Sequence, residues 1–230
     1  ITGWPGGKPN ADDSTRPERA NPYPKRVIIF SPHPDDDVIS MGGTFARLVE
    51  QGHDVHVAYE TSGNIAVLDD YIYQQMDIAA SFTHLVGGDT KTMDAAFEKI
   101  KQLIANRKPG DSEPNELLPF KGALRRAEAR GADRYLGVPE DHVHFLNLPF
   151  YETGTVKKNP LGQADVDIIV KLLREIKPHQ IYAAGDLADP HGTHGVCLDA
   201  ILRAYDVVCD DEWFKDCYTW WYRGAWMEWE

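Results

Sequence analysis

The 230-residue chain contains only three cysteines, Cys197, Cys209 and Cys217, and no pair has a CxxC spacing. That excludes a disulfide framework and a cysteine-based zinc site. It is the usage of a reducing compartment, so a cytoplasmic location is expected. Basic residues are also scarce: 24 Lys and Arg against 36 Asp and Glu leave a formal net charge of −12. A surface of that sign repels phosphate backbones and anionic lipid headgroups, and no basic run offsets it. Neither nucleic acid nor membrane is an expected partner. No apolar stretch reaches the roughly 20 residues of a membrane-spanning helix. What the chain does have is an ordinary apolar share, 42%, enough for a real core.

Proline and glycine are concentrated early. Pro5, Pro9, Pro17, Pro22 and Pro24 stud the first stretch, which cannot pack as a helix or a central strand. Residues 1–24 therefore read as a linker or leader: either a linker joined on its N-terminal side to another domain of a longer protein, or an ordinary disordered start left after processing. Residues 25–230 read as a single α/β domain. Val27 to Phe30 is a short continuous apolar run, the mark of a strand buried on both faces. Met41, Phe45, Leu48 and Val49 then recur at helical spacing up to Gly52. Further strands are expected over Val55–Tyr59, Val143–Leu148, Gln180–Ala184 and the aromatic segment Cys217–Trp229. The Asp69–Ala132 region should be mostly helical, broken by a polar loop from Pro109 to Pro119. Amphipathic helices are expected around Val166–Ile176 and Leu198–Val208. This alternation predicts a Rossmann-like, mainly parallel sheet with helices on both faces. Ligands bind such sheets beyond the carboxyl ends of the strands.

Two loops at that edge carry chemistry. The first reads Ser31-Pro32-His33-Pro34-Asp35-Asp36-Asp37, then Ser40-Met41-Gly42-Gly43. Three adjacent carboxylates near a buried strand end repel one another unless a cation is present. His33 and Asp36 can face one ion, with Asp35 between them near a water, and Gly42 and Gly43 would let the helix approach the sheet. Acids also favour a helix N-terminus with no ion at all. The second loop, Asp186-Leu187-Ala188-Asp189-Pro190-His191-Gly192-Thr193-His194, puts two imidazoles on one side of a first helical turn. Two histidines and one carboxylate with an open position suit catalytic zinc.

Together, PHPDDD after the first strand, DPHGTH before a late helix, and Arg125-Arg126-Ala127-Glu128 followed by Leu136-Gly137-Val138 resemble the LmbE-like/PIG-L family of zinc-dependent de-N-acetylases. The resemblance runs from about Lys25 to about Val208. It implies zinc, or another divalent metal such as Fe2+, on His33, Asp36 and His194. It implies Asp35 as general base, His191 as the partner of the tetrahedral intermediate, and Arg125 near a small amino-sugar substrate. Asp189 would orient His191, Asp37 would support the acidic loop, and Ser62 and Asn64 would lie on the substrate rim. Three positions depart from the family pattern. Asp37 stands where Glu is usual, HGTH replaces HPDH, and Asn64 takes a usually acidic place in Thr61-Ser62-Gly63-Asn64. The acidic loop and the WWYRGAW ending look most like the C-terminal half of bacterial proteins called glucosamine-6-phosphate deaminase/isomerase. A deaminase in a fused partner domain, and a non-catalytic sugar-binding module, are the alternative readings, and oligomerisation is left open. For His53, His56, His84, His142, His144 and His179 a surface or hydrogen-bonded role is expected, and Cys197 is expected in the core.

Overall fold

The computed structural model describes residues 23–108, 110–185, 189 and 191–225. The proposed leader lies outside them except for its last two residues. The run Val27–Phe30 is fully buried inside β1 (Arg26–Ser31), at the centre of a five-stranded sheet. The other strands are β2 (Asp54–Tyr59), β3 (Val143–Phe145), β4 (Gln180–Ala184) and β5 (Tyr218–Tyr222), in the order β3-β2-β1-β4-β5. All four pairings are parallel; Val27 pairs with both Val55 and Gln180. The helices are α1 (Asp36–Glu50), α2 (Asp69–Leu85), α3 (Thr90–Ala105), α4 (Leu118–Leu136), α5 (Gln163–Ile176) and α6 (Thr193–Val208).

Side chains alternate across the central strand and feed two cores. Val27 and Ile29 pack with Met41, Phe45 and Leu48 of α1 and Ala129 of α4. Ile28 and Phe30 pack with Ile169 and Leu173 of α5 and Cys197, Ala200 and Ile201 of α6. A smaller cluster, Ile72, Met76, Ile100 and Leu117, joins α2 and α3 to the segment before α4. The chain thus leaves β1 towards one face and leaves the adjacent β4 towards the other. Strand order reverses between these two neighbours, and a crevice opens at their carboxyl ends. No helix among the described residues is long and apolar enough to cross a membrane.

Three local expectations fail. The third strand stops at Phe145 instead of Leu148. The Leu146 and Leu148 N–H groups still donate to Tyr59 and Glu60 carbonyls, but Asn147 turns left-handed at φ 47° and ends the regular ladder. The fifth strand ends at Tyr222, and residues 226–230 lie outside the described set. On this edge strand Tyr218 and Trp221 are exposed, whereas the buried Tyr222 hydroxyl donates to Phe30 O at 2.7 Å. Gly42 and Gly43 do not bring α1 onto the sheet: a Cβ at Gly43 would meet nothing within 4 Å. The helix adjusts at Met41, whose φ of −138° and ψ of 19° mark a kink.

Candidate metal centre and active site

Ser31 ends β1 and folds the acidic loop. Its hydroxyl oxygen accepts the Asp37 N–H at 3.0 Å, and the His33 carbonyl accepts the Asp35 N–H at 2.8 Å. The turn aims Asp36 back at His33: Asp36 Oδ2 accepts the His33 N–H at 2.9 Å and lies 3.2 Å from His33 Nδ1. From the second loop, His194 Nε2 lies 3.2 Å from Asp36 Oδ2 and 3.2 Å from His33 Nδ1. Three donor atoms from loops 161 residues apart thus form a nearly equilateral triangle. In a tetrahedral zinc site with bonds of 2.0–2.1 Å, donor atoms stand about 3.3 Å apart. The triangle therefore fits a first-row divalent ion, and its hard–borderline donor set suits one. Burial alone would raise the Asp36 carboxyl. Hydrogen bonds and positive charge from His194 and His33 outweigh it and hold the group well below the usual carboxylate range.

The flanking acids have separate tasks. Asp35 takes the N-cap position of α1 without capping it. Its Oδ2 pairs instead with Arg125 Nη2 at 2.9 Å, and its side chain remains 44% exposed. Asp37 is buried and its carboxylate accepts the Tyr59 hydroxyl at 2.9 Å. The same hydroxyl faces Asp133 Oδ1 at 3.1 Å. Burial raises both acids, Asp37 to about 6 and Asp133 to about 7; the charge of Asp37 adds to the rise at Asp133, and the hydrogen bond from Tyr59 opposes the rise at each. In the second loop Asp189 Oδ1 accepts the His191 N–H and Oδ2 the His194 N–H, both at 3.0 Å. Burial acts to raise Asp189, but these backbone donors keep it low. Asp189 Oδ1 is also 3.3 Å from His191 Nδ1, whose ring is 67% exposed at the cleft. Gly192 has φ 72°, a conformation closed to proline, so the HGTH departure is a different turn rather than a simple replacement.

His33, Asp35, Asp36, Arg125, Asp189, His191 and His194 share one cleft of about 510 Å³. Tyr151 and Lys158 complete its wall, Lys158 Nζ lying 3.4 Å above the Tyr151 ring. Ser62 and Asn64 are not in it. Both are buried and donate to Glu152, at 2.9 and 3.0 Å, beside a neighbouring cavity of about 430 Å³. Sequence reasoning missed Glu152, Tyr151 and Lys158, which lie in an irregular segment with no motif. It also missed Glu60, fully buried beneath the triad, where desolvation pushes it up to about 8 despite Cys197 and the charge of His194. Its signal was available: an acid directly after the buried apolar run Val57-Ala58-Tyr59.

An open parallel sheet that gathers two imidazoles and a carboxylate in its switch-point crevice defines a class, the Rossmann-like α/β domain with a candidate metal centre at the carboxyl ends of its strands. Residues 28–205 match the family described as PIG-L, GlcNAc-PI de-N-acetylase, and the chain belongs to that family. It is 58% identical over 233 residues to a Bacteroides thetaiotaomicron protein named a glucosamine-6-phosphate deaminase-like protein, matching the whole of this chain and 35% of that protein. It is 26% identical to the diacetylchitobiose deacetylase of Thermococcus kodakarensis, over 70% of this chain and 59% of that one. The chain thus spans from about a third to under two thirds of these relatives. The solved N,N'-diacetylchitobiose deacetylase of Pyrococcus horikoshii shares the fold with a TM-score of 0.54 at 18% identity, over 87% of this chain and 61% of that one.

Proposed function

We propose that the domain is a metal-dependent N-deacetylase of small N-acetyl amino sugars. The observation that carries this reading is the 3.2 Å triangle of His33, Asp36 and His194, open to a sugar-sized cleft that also holds Asp35, Arg125 and His191. The names of the Thermococcus relative and of the family support the substrate class. These three residues would hold zinc, with Fe2+ as the alternative. When bound, the ion supplies Lewis acidity to an amide carbonyl and to water. Asp35 takes the proton of the attacking water and passes a proton to the departing amine. Arg125 sets the orientation of that carboxylate through its 2.9 Å contact. His191, steadied by Asp189, presents its exposed ring to the oxyanion. Arg125 also offers a donor to a sugar hydroxyl or phosphate. Ser62 and Asn64 act at one remove, by fixing Glu152 at the neighbouring cavity.

The leader over residues 1–24 is read as a linker to a fused domain, and the deaminase part of the Bacteroides relative's name as belonging to the 65% of that protein this chain does not match. The test is elemental analysis of the purified chain, followed by a free-amine assay on a panel of N-acetyl amino sugars. Stoichiometric metal with acetate release supports the reading. A metal-loaded chain that releases acetate from none of them overturns it.

A further inference from the structure

The opposite edge of the sheet carries a second cluster of metal-ligating side chains. Asp54 and His56 lie two residues apart on β2, so both project to one face. His144 lies on β3, and His142 ends the turn of 3₁₀ helix that leads into it. The parallel register that pairs Ala58 with His144 places His142 beside His56. His56 Nε2 lies 3.6 Å from Asp54 Oδ1, and His142 Nδ1 lies 3.4 Å from the same oxygen. Asp54, His56 and His142 offer ligand atoms within 4.8 Å of one another. The cluster sits where β2 begins, whereas the cleft lies beyond the other end, five residues of strand away, or roughly 16 Å.

We propose that Asp54, His56 and His142 form a second site for a divalent ion that favours imidazole, such as zinc, separate from the catalytic triad. Two features beyond proximity favour it. His56 Nδ1 is 3.0 Å from His144 Nε2. When Nδ1 donates its hydrogen there, the His56 Nε2 lone pair is left facing Asp54. This is the outer partner that metal-bound histidines ordinarily have, and it makes His144 a positioning residue. Negative charge is also at hand, because Asp141 acts electrostatically on His56 and His144, and Glu175 of α5 on His144. The His56 and His142 rings are stacked, with centroids 4.0 Å apart and planes 18° apart. Their in-plane lone pairs then lie in nearly parallel planes, so closure on an ion needs one ring to turn. His142, partly exposed in a turn at the sheet edge, is the ring to do so, and its Nδ1 must then leave the Val55 carbonyl oxygen 3.2 Å away and give up the hydrogen it donates there. A bound ion would clamp the three-residue β3 to β2.

The test is equilibrium dialysis against zinc, with His194→Ala removing the catalytic site. That variant should keep one zinc per chain, and adding His56→Ala and His142→Ala should abolish it. Adding His144→Ala instead should weaken binding by about 10–100-fold, as loss of an outer partner does. In the otherwise unaltered chain, His56→Ala with His142→Ala should leave one zinc and acetate release unchanged. Imidazole NMR of the His194→Ala chain guards against misfolded variants: zinc should shift the His56 and His142 resonances. No zinc in the His194→Ala chain, or zinc that leaves those resonances in place, overturns the second site and leaves the deacetylase reading untouched.

Discussion

At the scale of single residues, three neighbouring acids act differently because each has different partners. Asp35 faces the cleft and Arg125, so Asp35→Asn should retain metal by elemental analysis. It should also lose turnover by about 10²–10⁴, the range for a general base. Near-normal turnover would pass the base role to another residue. His191 lies in the turn ahead of α6, three residues before His194 and separated from the helix by the left-handed Gly192, and its ring is exposed where the His194 ring is buried. His191→Ala should therefore keep its metal and lower kcat by about 10²–10³, the loss expected for one oxyanion donor; metal loss in that variant would make His191 a ligand instead. Asp133 gives a pH prediction. Its ordinary value of 3.8 is raised to about 7, first by burial and then by the charge of Asp37. Between those values the folded chain keeps a proton that the unfolded chain has released, so stability falls as pH rises from about 4 to about 7. Asp133→Asn should flatten that slope in urea midpoints measured at pH 5 and pH 8, with the variant the more stable at pH 8. An unchanged slope would mean that the slope comes from other groups.

At the scale of elements, two glycines predict opposite outcomes. Gly63 has φ 61°, and a Cβ there would stand 3.1 Å from Pro34 Cδ and 3.2 Å from Arg125 Cζ. Gly63→Ala should cost about 1–2 kcal/mol for the left-handed backbone alone. It should also lower turnover by displacing the partner of Asp35. Gly43 lies in α1 with open space around it, so Gly43→Ala should gain about 0.5–1 kcal/mol. Thermal melts of the two variants should move in opposite directions, and a shared direction would refute the contrast. The same elements show what could be read in the sequence. The buried run of β1, the alternation of β2 and the amphipathic stripe of α5 gave the layer order, because periodicity records which face is buried. The candidate loops stood out because a histidine among acids and a histidine pair both fall at the same edge of one sheet; the acidic loop alone was a weak signal, since acids also favour a helix N-terminus, and here Asp35 and Asp37 are partnered by Arg125 and Tyr59. The stop at Asn147 was not legible, since a left-handed asparagine leaves no trace in hydrophobic pattern. Nor was the tie of Ser62 and Asn64 to Glu152, about 90 residues on. That tie exists only because the chain end of β2 and the segment after β3 lie side by side.

At the scale of the whole molecule, the sheet and the site share their cores, whereas α2 and α3 largely have their own. Their small cluster, Ile72, Met76, Ile100 and Leu117, is distinct from the two sheet-face cores. It is tied down by the buried Lys121 of α4, which donates to Asp69 at 2.8 Å and lies 3.0 Å from Glu113. Arg107 pairs with the same two acids. A segment organised in this way opens as a cooperative unit at a lower free energy than the sheet. Amide hydrogen exchange across residues 69–105 should therefore run faster than in β1 and β2, and equal protection would show one indivisible unit. Lys121 lies one turn before Arg125 on α4, the residue that holds Asp35. If the proposed function holds, gentle warming of the metal-loaded chain should end acetate release at a temperature where the sheet still gives its full spectroscopic signal and the metal is still bound. The enzyme's working ceiling would then be set by a helical hairpin that contributes no residue to the chemistry.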